Sequence, residues 1–122
     1  MYKTILVETD IEDGRRLLKE LEERHLQMTA AFWFHEDEED WKLVVASTDV
    51  DEQGPTKLYT MIALMLKDLS RDPEIPLQFP LSRIKLVSPQ SLLYKRVRDH
   101  SGLRFGPGRE GRAMDSYIYK MS

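Results

Sequence analysis

Two runs, Met28 to His35 (MTAAFWFH) and Trp41 to Thr48 (WKLVVAST), constrain this chain more than any other feature. Read as strands, both are apolar on both faces. Ala30, Phe32 and Phe34 point one way and Ala31 and Trp33 the other; Leu43 and Val45 likewise oppose Val44 and Ala46. A strand of this kind needs cover above and below, so the chain must supply helices or a partner for two faces of a sheet. Between the runs lie five consecutive acids, Glu36 to Asp40, and the arrangement predicts a hairpin with a charged tip.

Helices to cover such a sheet are legible on either side of the hairpin. Thr9 and Glu12 fit a capping box, and Ile11, Leu17, Leu18, Leu21 and His25 fall on one helical stripe. Gly14 lies inside that helix, where it costs about 1 kcal/mol relative to alanine unless a close helix–sheet contact requires it. Asp49 to Gly54 reads as a loop, and Gly54-Pro55 opens a second helix to about Leu69, with proline at its first position. On that helix Leu58, Tyr59, Met61, Ile62, Ala63, Met65, Leu66 and Leu69 span an arc of about 200°, against about 100° for an ordinary surface helix. The excess must be covered by the following segment or by another subunit. The second option makes Leu58, Tyr59, Met61, Ile62, Met65 and Leu66 candidates for self-association.

Asp72 to Leu81 (DPEIPLQFPL) carries three prolines and is expected to wrap the surface in extended form. Lys3 to Glu8 and Arg83 to Val87 read as strands. Ser88-Pro89 is a start signal for a third helix to about His100, with Gly102 as its stop. Tyr117 to Met121 reads as a closing strand. The element order is then β-α-β-β-α-β-α-β. It predicts a single α/β (α+β) domain: a ferredoxin-like β-α-β-β-α-β sandwich extended by a third helix and a C-terminal strand.

The 122 residues, 41% hydrophobic and 32% charged, suit one self-supporting globular domain. The chain has no cysteine, which removes disulfides, zinc–thiolate and iron–sulfur sites and a thiol nucleophile, and fits a cytoplasmic protein. No signal peptide and no membrane span is expected. The net charge of −3 conceals two unequal parts. Residues 1–82 hold 9 Lys+Arg against 18 Asp+Glu, a balance of −9; residues 83–122 hold 9 against 3, a balance of +6. The basic part suggests an anionic partner, while charge pairing within the fold or across a dimer would also account for it.

The stretch SGLRFGPGREGRAMD contains a formal G-x-G-x-x-G at Gly106, Gly108 and Gly111. A dinucleotide fingerprint needs a strand before it, a helix after it and an acid about 20 residues on. Here a helix precedes, a strand follows and only 11 residues remain. What survives is a candidate anion-binding set: Lys95, Arg96 and Arg98 on the third helix and Arg104, Arg109 and Arg112 beyond it. Such a set suits phosphate or nucleic acid.

Asp40-Trp41-Lys42 reads D-x-K at a strand start and resembles part of the motif of the PD-(D/E)xK nucleases. The resemblance implies Mg²⁺ held by Asp40 and a second carboxylate, with Lys42 activating water. The Pro-Asp part is missing, and Glu36 or Glu8 would have to serve as the second acid. His25, His35 and His100 lack metal-ligand spacing, and no G-x-S-x-G is present. Phe32, Trp33 and Phe34 invite comparison with RNA-recognition motifs, but the third strand lacks their K/R-G-F/Y-G/A-F pattern, so these rings read as core. The sequence therefore predicts a small non-catalytic binding or accessory module, self-associating, with no metal and no cofactor. A metal-dependent phosphodiesterase using Asp40 and Lys42 is one alternative, and phosphate or nucleic-acid binding by the basic part is another.

Overall fold

The computed structural model describes residues 6–35, 40–104, 111–113 and 116–121, with backbone alone at 100–104, 111–113 and 121. The elements are helix α1 (Glu8–Glu23), strands β1 (Met28–Phe34) and β2 (Lys42–Ser47), helices α2 (Thr48–Gln53) and α3 (Pro55–Ser70), strand β3 (Ile84–Val87), helix α4 (Leu92–Arg104) and strands β4 (Gly111–Ala113) and β5 (Ser116–Met121). The result is a mixed α/β fold. A four-stranded core, β3-β2-β1-β5, is extended at one edge by the three-residue β4. Among the described residues no helix is long and apolar enough to cross a membrane.

The expected hairpin is present: β1 and β2 pair antiparallel, with Trp33 opposite Leu43 and Phe32 opposite Val44. Both faces of these strands are buried, and different helices cover them. On one side Ala31, Trp33, Leu43 and Val45 join Leu17 and Leu21 of α1 and Leu58, Ile62 and Met65 of α3. On the other, Ala30, Phe32, Phe34, Val44 and Ala46 join Tyr94 and Val97 of α4. The two-faced apolar pattern is thus satisfied by a helix layer on each side of the sheet.

The strand order departs from the ferredoxin-like expectation. In that arrangement the N-terminal strand would separate β2 from β3. Here β2 and β3 are hydrogen-bonded directly and run parallel, Leu43 beside Ile84 and Val45 beside Leu86. No strand can lie between them. Of the expected first strand, residues 3–5 fall outside the described residues, Leu6 and Val7 form no ladder, and Glu8 already belongs to α1.

Several boundaries also move. Helix α1 starts one residue before the expected cap, and the acid that reaches back is Asp10, which accepts from the Val7 N–H at 3.5 Å. The helix ends before His25, which is exposed and stands at φ 65° rather than on the apolar stripe. The His25 N–H donates to the Glu22 carbonyl at 3.0 Å and the Leu26 N–H to Leu21 at 3.1 Å, a Schellman closure with Leu21 and Leu26 both buried. The expected loop after β2 contains α2, capped by Ser47 Oγ accepting from the Asp49 N–H at 3.0 Å. Gly54, at φ 86° and ψ 150°, turns the corner into α3 in a conformation open essentially only to glycine. Helix α4 starts at Leu92, where Ser91 Oγ accepts from the Tyr94 N–H; Ser88 instead closes a turn on Gln90. Gly102, expected as a stop, lies within α4.

Gly14 has a packing explanation. A Cβ built there would lie 2.5 Å from the Tyr119 hydroxyl and 3.0 Å from Trp33 Nε1. Those atoms form a chain: the Trp33 indole donates to Tyr119 Oη at 2.7 Å, and the Tyr119 hydroxyl donates to the Ile11 carbonyl at 2.6 Å. The Arg83 guanidinium sits over the Trp33 ring, 4.8 Å from its centroid. Arg83 is paired with the buried Asp10 at 3.1 Å.

Two substitutions with opposite signs follow. Gly14→Ala should destabilise the fold by about 1–3 kcal/mol despite alanine's better helix propensity, because the methyl group overpacks a hydrogen-bonded junction. His25→Gly should stabilise it by about 1 kcal/mol, since glycine carries no Cβ penalty at positive φ. Urea unfolding of both variants measures the signs; a stabilised Gly14→Ala would show that the junction yields freely.

Candidate functional site

Helix α4 is positioned by its buried side. Tyr94 and Val97 pack on Phe32, Phe34, Val44, Val87 and Ile118, so Lys95, Arg96, Arg98 and Asp99 project outward. Strand alternation places Lys85 on the same side of the sheet. Ile84 and Leu86 belong to the α1–α3 core, which leaves Lys85 and Val87 on the α4 face. Between α4 and β3 runs a groove of about 500 Å³ lined by Lys85, Leu92, Leu93, Lys95, Arg96 and Asp99. Both lysines are exposed, and neither forms an ion pair among the described residues. Leu92 is 85% exposed, the highest value for a large apolar side chain among the described residues.

Of the six cations read from the sequence, the structure brings Lys95 and Arg96 together and adds Lys85. The Arg96 guanidinium also lies 5.5 Å over the Phe34 ring. Arg98 is not part of the groove: it lies over Tyr94 and pairs with Asp99 at 3.3 Å. Arg104 is described only as backbone at the end of α4, and Arg109 lies outside the described residues with the glycine-rich stretch 105–110. Arg112 is on β4, whose main chain forms the sheet edge opposite β3. At about 4.8 Å per step that is roughly 19 Å from the strand carrying Lys85. Lys85, Leu92, Leu93 and Asp99 carry no sequence signal as a group, because no local motif joins β3 to α4; the strand order does.

Of the D-x-K residues, Asp40 is half-buried just before β2 and Lys42 is the first residue of that strand. Lys42 Nζ donates to the Ser82 carbonyl at 2.8 Å. Glu8 is an exposed residue in the first turn of α1, and Glu36 lies outside the described residues. Among the described residues no three His, Cys, Asp or Glu side chains are grouped to hold a metal.

Apart from the exposed Ala63, the broad apolar arc of α3 is covered by the chain itself. Leu58, Ile62, Met65 and Leu66 are buried, and Tyr59 and Met61 pack half-buried against the same core. The sheet takes one side of the arc. The proline-rich segment takes another, contributing the buried Leu77 and Phe79. Tyr59 also reaches the edge strand, where its hydroxyl accepts from the Leu86 N–H at 2.8 Å. The surplus apolar surface that motivated self-association through these six residues is therefore accounted for within one copy. Leu64, at 60% exposure, is the large side chain of α3 left in water.

The proline-rich segment is tied down at its start. Arg16 pairs with Asp72 at 3.1 Å, and the Leu77 N–H donates to the Leu69 carbonyl at 3.0 Å. Asp72 Oδ1 accepts from the backbone N–H groups of Ile75 and Glu74. These two bonds, with the smaller pull of the Arg16 charge, hold the Asp72 carboxyl below its usual 3.8. A depressed carboxyl stabilises the fold fully above its ordinary titration range and loses that contribution as pH falls below it. Asp72→Asn should thus be less stable than the native chain at pH 7, and the gap should narrow as pH falls below the usual 3.8. Thermal melts across that range check this; a gap independent of pH would show that the carboxylate charge is not what anchors the segment. In searches against family models, curated proteins and solved structures, nothing matches this chain.

Proposed function

We propose that the protein is a binding module and that it receives an anionic partner in the groove between α4 and β3. One observation carries the reading. Lys85, from a strand, and Lys95 and Arg96, from a helix, line one ligand-sized depression. Cations from separate elements around a concave surface focus potential in a way that a row along one helix does not. The +6 balance of residues 83–122 agrees with this reading.

Self-association is one form of the same proposal. The part of the chain with a −9 balance offers each copy an anionic surface for the basic groove of another. A cysteine-free chain suits such binding in the cytoplasm.

The test is titration of labelled polyglutamate and of a polyuridine oligonucleotide by fluorescence anisotropy from about 50 to 300 mM NaCl. At least one should bind with log affinity falling linearly against log salt, and Lys95→Glu with Arg96→Glu should weaken it about tenfold or more. Binding insensitive to salt, or unaffected by the double charge reversal, overturns the assignment of the groove.

A further inference from the structure

We infer that the groove's occupant is a short acidic peptide segment carrying an apolar side chain, and not a nucleic acid or free phosphate. The inference rests on the reading of the groove as an anion site and adds the class of partner.

The first ground is Leu92. It stands 85% exposed and lines the groove with Leu93, Lys85, Lys95 and Arg96. Phosphate gains nothing from a leucine. A peptide that sets its own apolar side chain against Leu92 removes both surfaces from water. The second ground is what the lining omits: among the described residues it contains no aromatic ring. Single-stranded nucleic acid is held chiefly by base stacking on such rings together with backbone charge, and here only the charge is supplied.

The third ground is Asp99, an acidic residue of the groove lining whose carboxylate pairs with Arg98 at 3.3 Å. A dianion meets repulsion there. A peptide can present a backbone N–H or a neutral side chain at that point while its carboxylates meet the lysines. Strand addition along β3 is not the mode, because the Leu86 N–H is already taken by the Tyr59 hydroxyl. The peptide docks through side chains, with charge setting the approach and Leu92 supplying the apolar contact.

The experiment uses the full chain and four probes: a labelled nine-residue peptide repeating Glu-Glu-Leu, an all-glutamate peptide of the same length, a nine-nucleotide polyuridine and inorganic phosphate as competitor. The Glu-Glu-Leu peptide should bind about tenfold tighter than all-glutamate, in keeping with one buried leucine contact. Leu92→Ser should erase that difference, the two peptides then binding alike. Because Leu92 is exposed, this substitution leaves the fold intact, which far-ultraviolet circular dichroism checks. Tighter binding by polyuridine, or displacement of peptide by millimolar phosphate, overturns the inference while keeping an anion site. Equal binding of the two peptides, or a preference that survives Leu92→Ser, overturns the apolar contact. Failure of every probe to bind sinks the anion-site reading itself.

Discussion

The Trp33 indole N–H has to find an acceptor inside a dry layer, and the way it does so fixes how α1 sits on the sheet. Trp33 is fully buried on β1, the strand flanked by β2 and β5. An orphaned donor there would cost about 1–3 kcal/mol. Tyr119 on the neighbouring β5 accepts the bond and directs its own proton to the Ile11 carbonyl of α1. Three elements distant in sequence are thereby held by two hydrogen bonds, and the closeness they demand is what excludes a side chain at position 14. Over the ring, Arg83 is positioned by the start of β3 and neutralised by Asp10. One indole thus has α1, β5 and the β3 entrance arranged around it.

The division of charge along the chain acquires a structural meaning from this. Several acids of the first part are committed to internal contacts. Asp10 pairs with Arg83, Asp49 accepts from the Gln27 N–H at 3.0 Å, and Asp72 closes a turn and holds Arg16. Among the described side chains of the later part, Lys85, Lys95, Arg96, Arg98 and Lys120 are exposed. Two arginines of α4 rest their guanidinium groups on rings, Arg96 on Phe34 and Arg98 on Tyr94. Placement over a ring face adds a modest attraction and removes side-chain freedom, so the charge is presented in a defined place.

What is legible in the sequence, and what is not, divides along physical lines. Period-2 apolarity marks β1 and β2 to within a residue or two, and Gly54-Pro55 marks the start of α3, because these signals are local and strong. Helix α2 gives no such signal because its six residues, TDVDEQ, carry no apolar period; the Ser47 cap and the Asp49 contact to Gln27 hold it instead. The start signal for α4 points too early, since Ser88-Pro89 and Ser91 both offer capping chemistry and only the Ser91 turn continues into helix. Strand order cannot be read locally at all. Whether β3 joins β2 or stands apart depends on which edge the crossover from α3 reaches, and the groove, made of β3 and α4 together, is hidden for the same reason. The two groove cations on α4 are legible as a basic helix; their third companion, Lys85, is a lone lysine in a short strand.

The position of the groove follows from unequal cover of the edge strand. Strand β3 has four residues and lies at the end of the sheet. On its α1–α3 face it is well protected: Ile84 and Leu86 enter the large core, and Tyr59 reaches around to occupy the Leu86 N–H. On its other face only Val87 joins the smaller core, because Tyr94 and Val97 anchor α4 mainly on β1, β2 and β5. The first two turns of α4 therefore overhang an uncovered step at Lys85, and the overhang is the groove. Two general needs meet here. An edge strand must be kept from pairing with its neighbours, which the Tyr59 hydroxyl and the Lys85 charge both serve. A binding surface must be concave and rigidly held, which a helix docked by buried aromatic and aliphatic side chains provides. Under the proposed function, the same lysine that discourages indiscriminate strand pairing would also select for a partner of opposite charge.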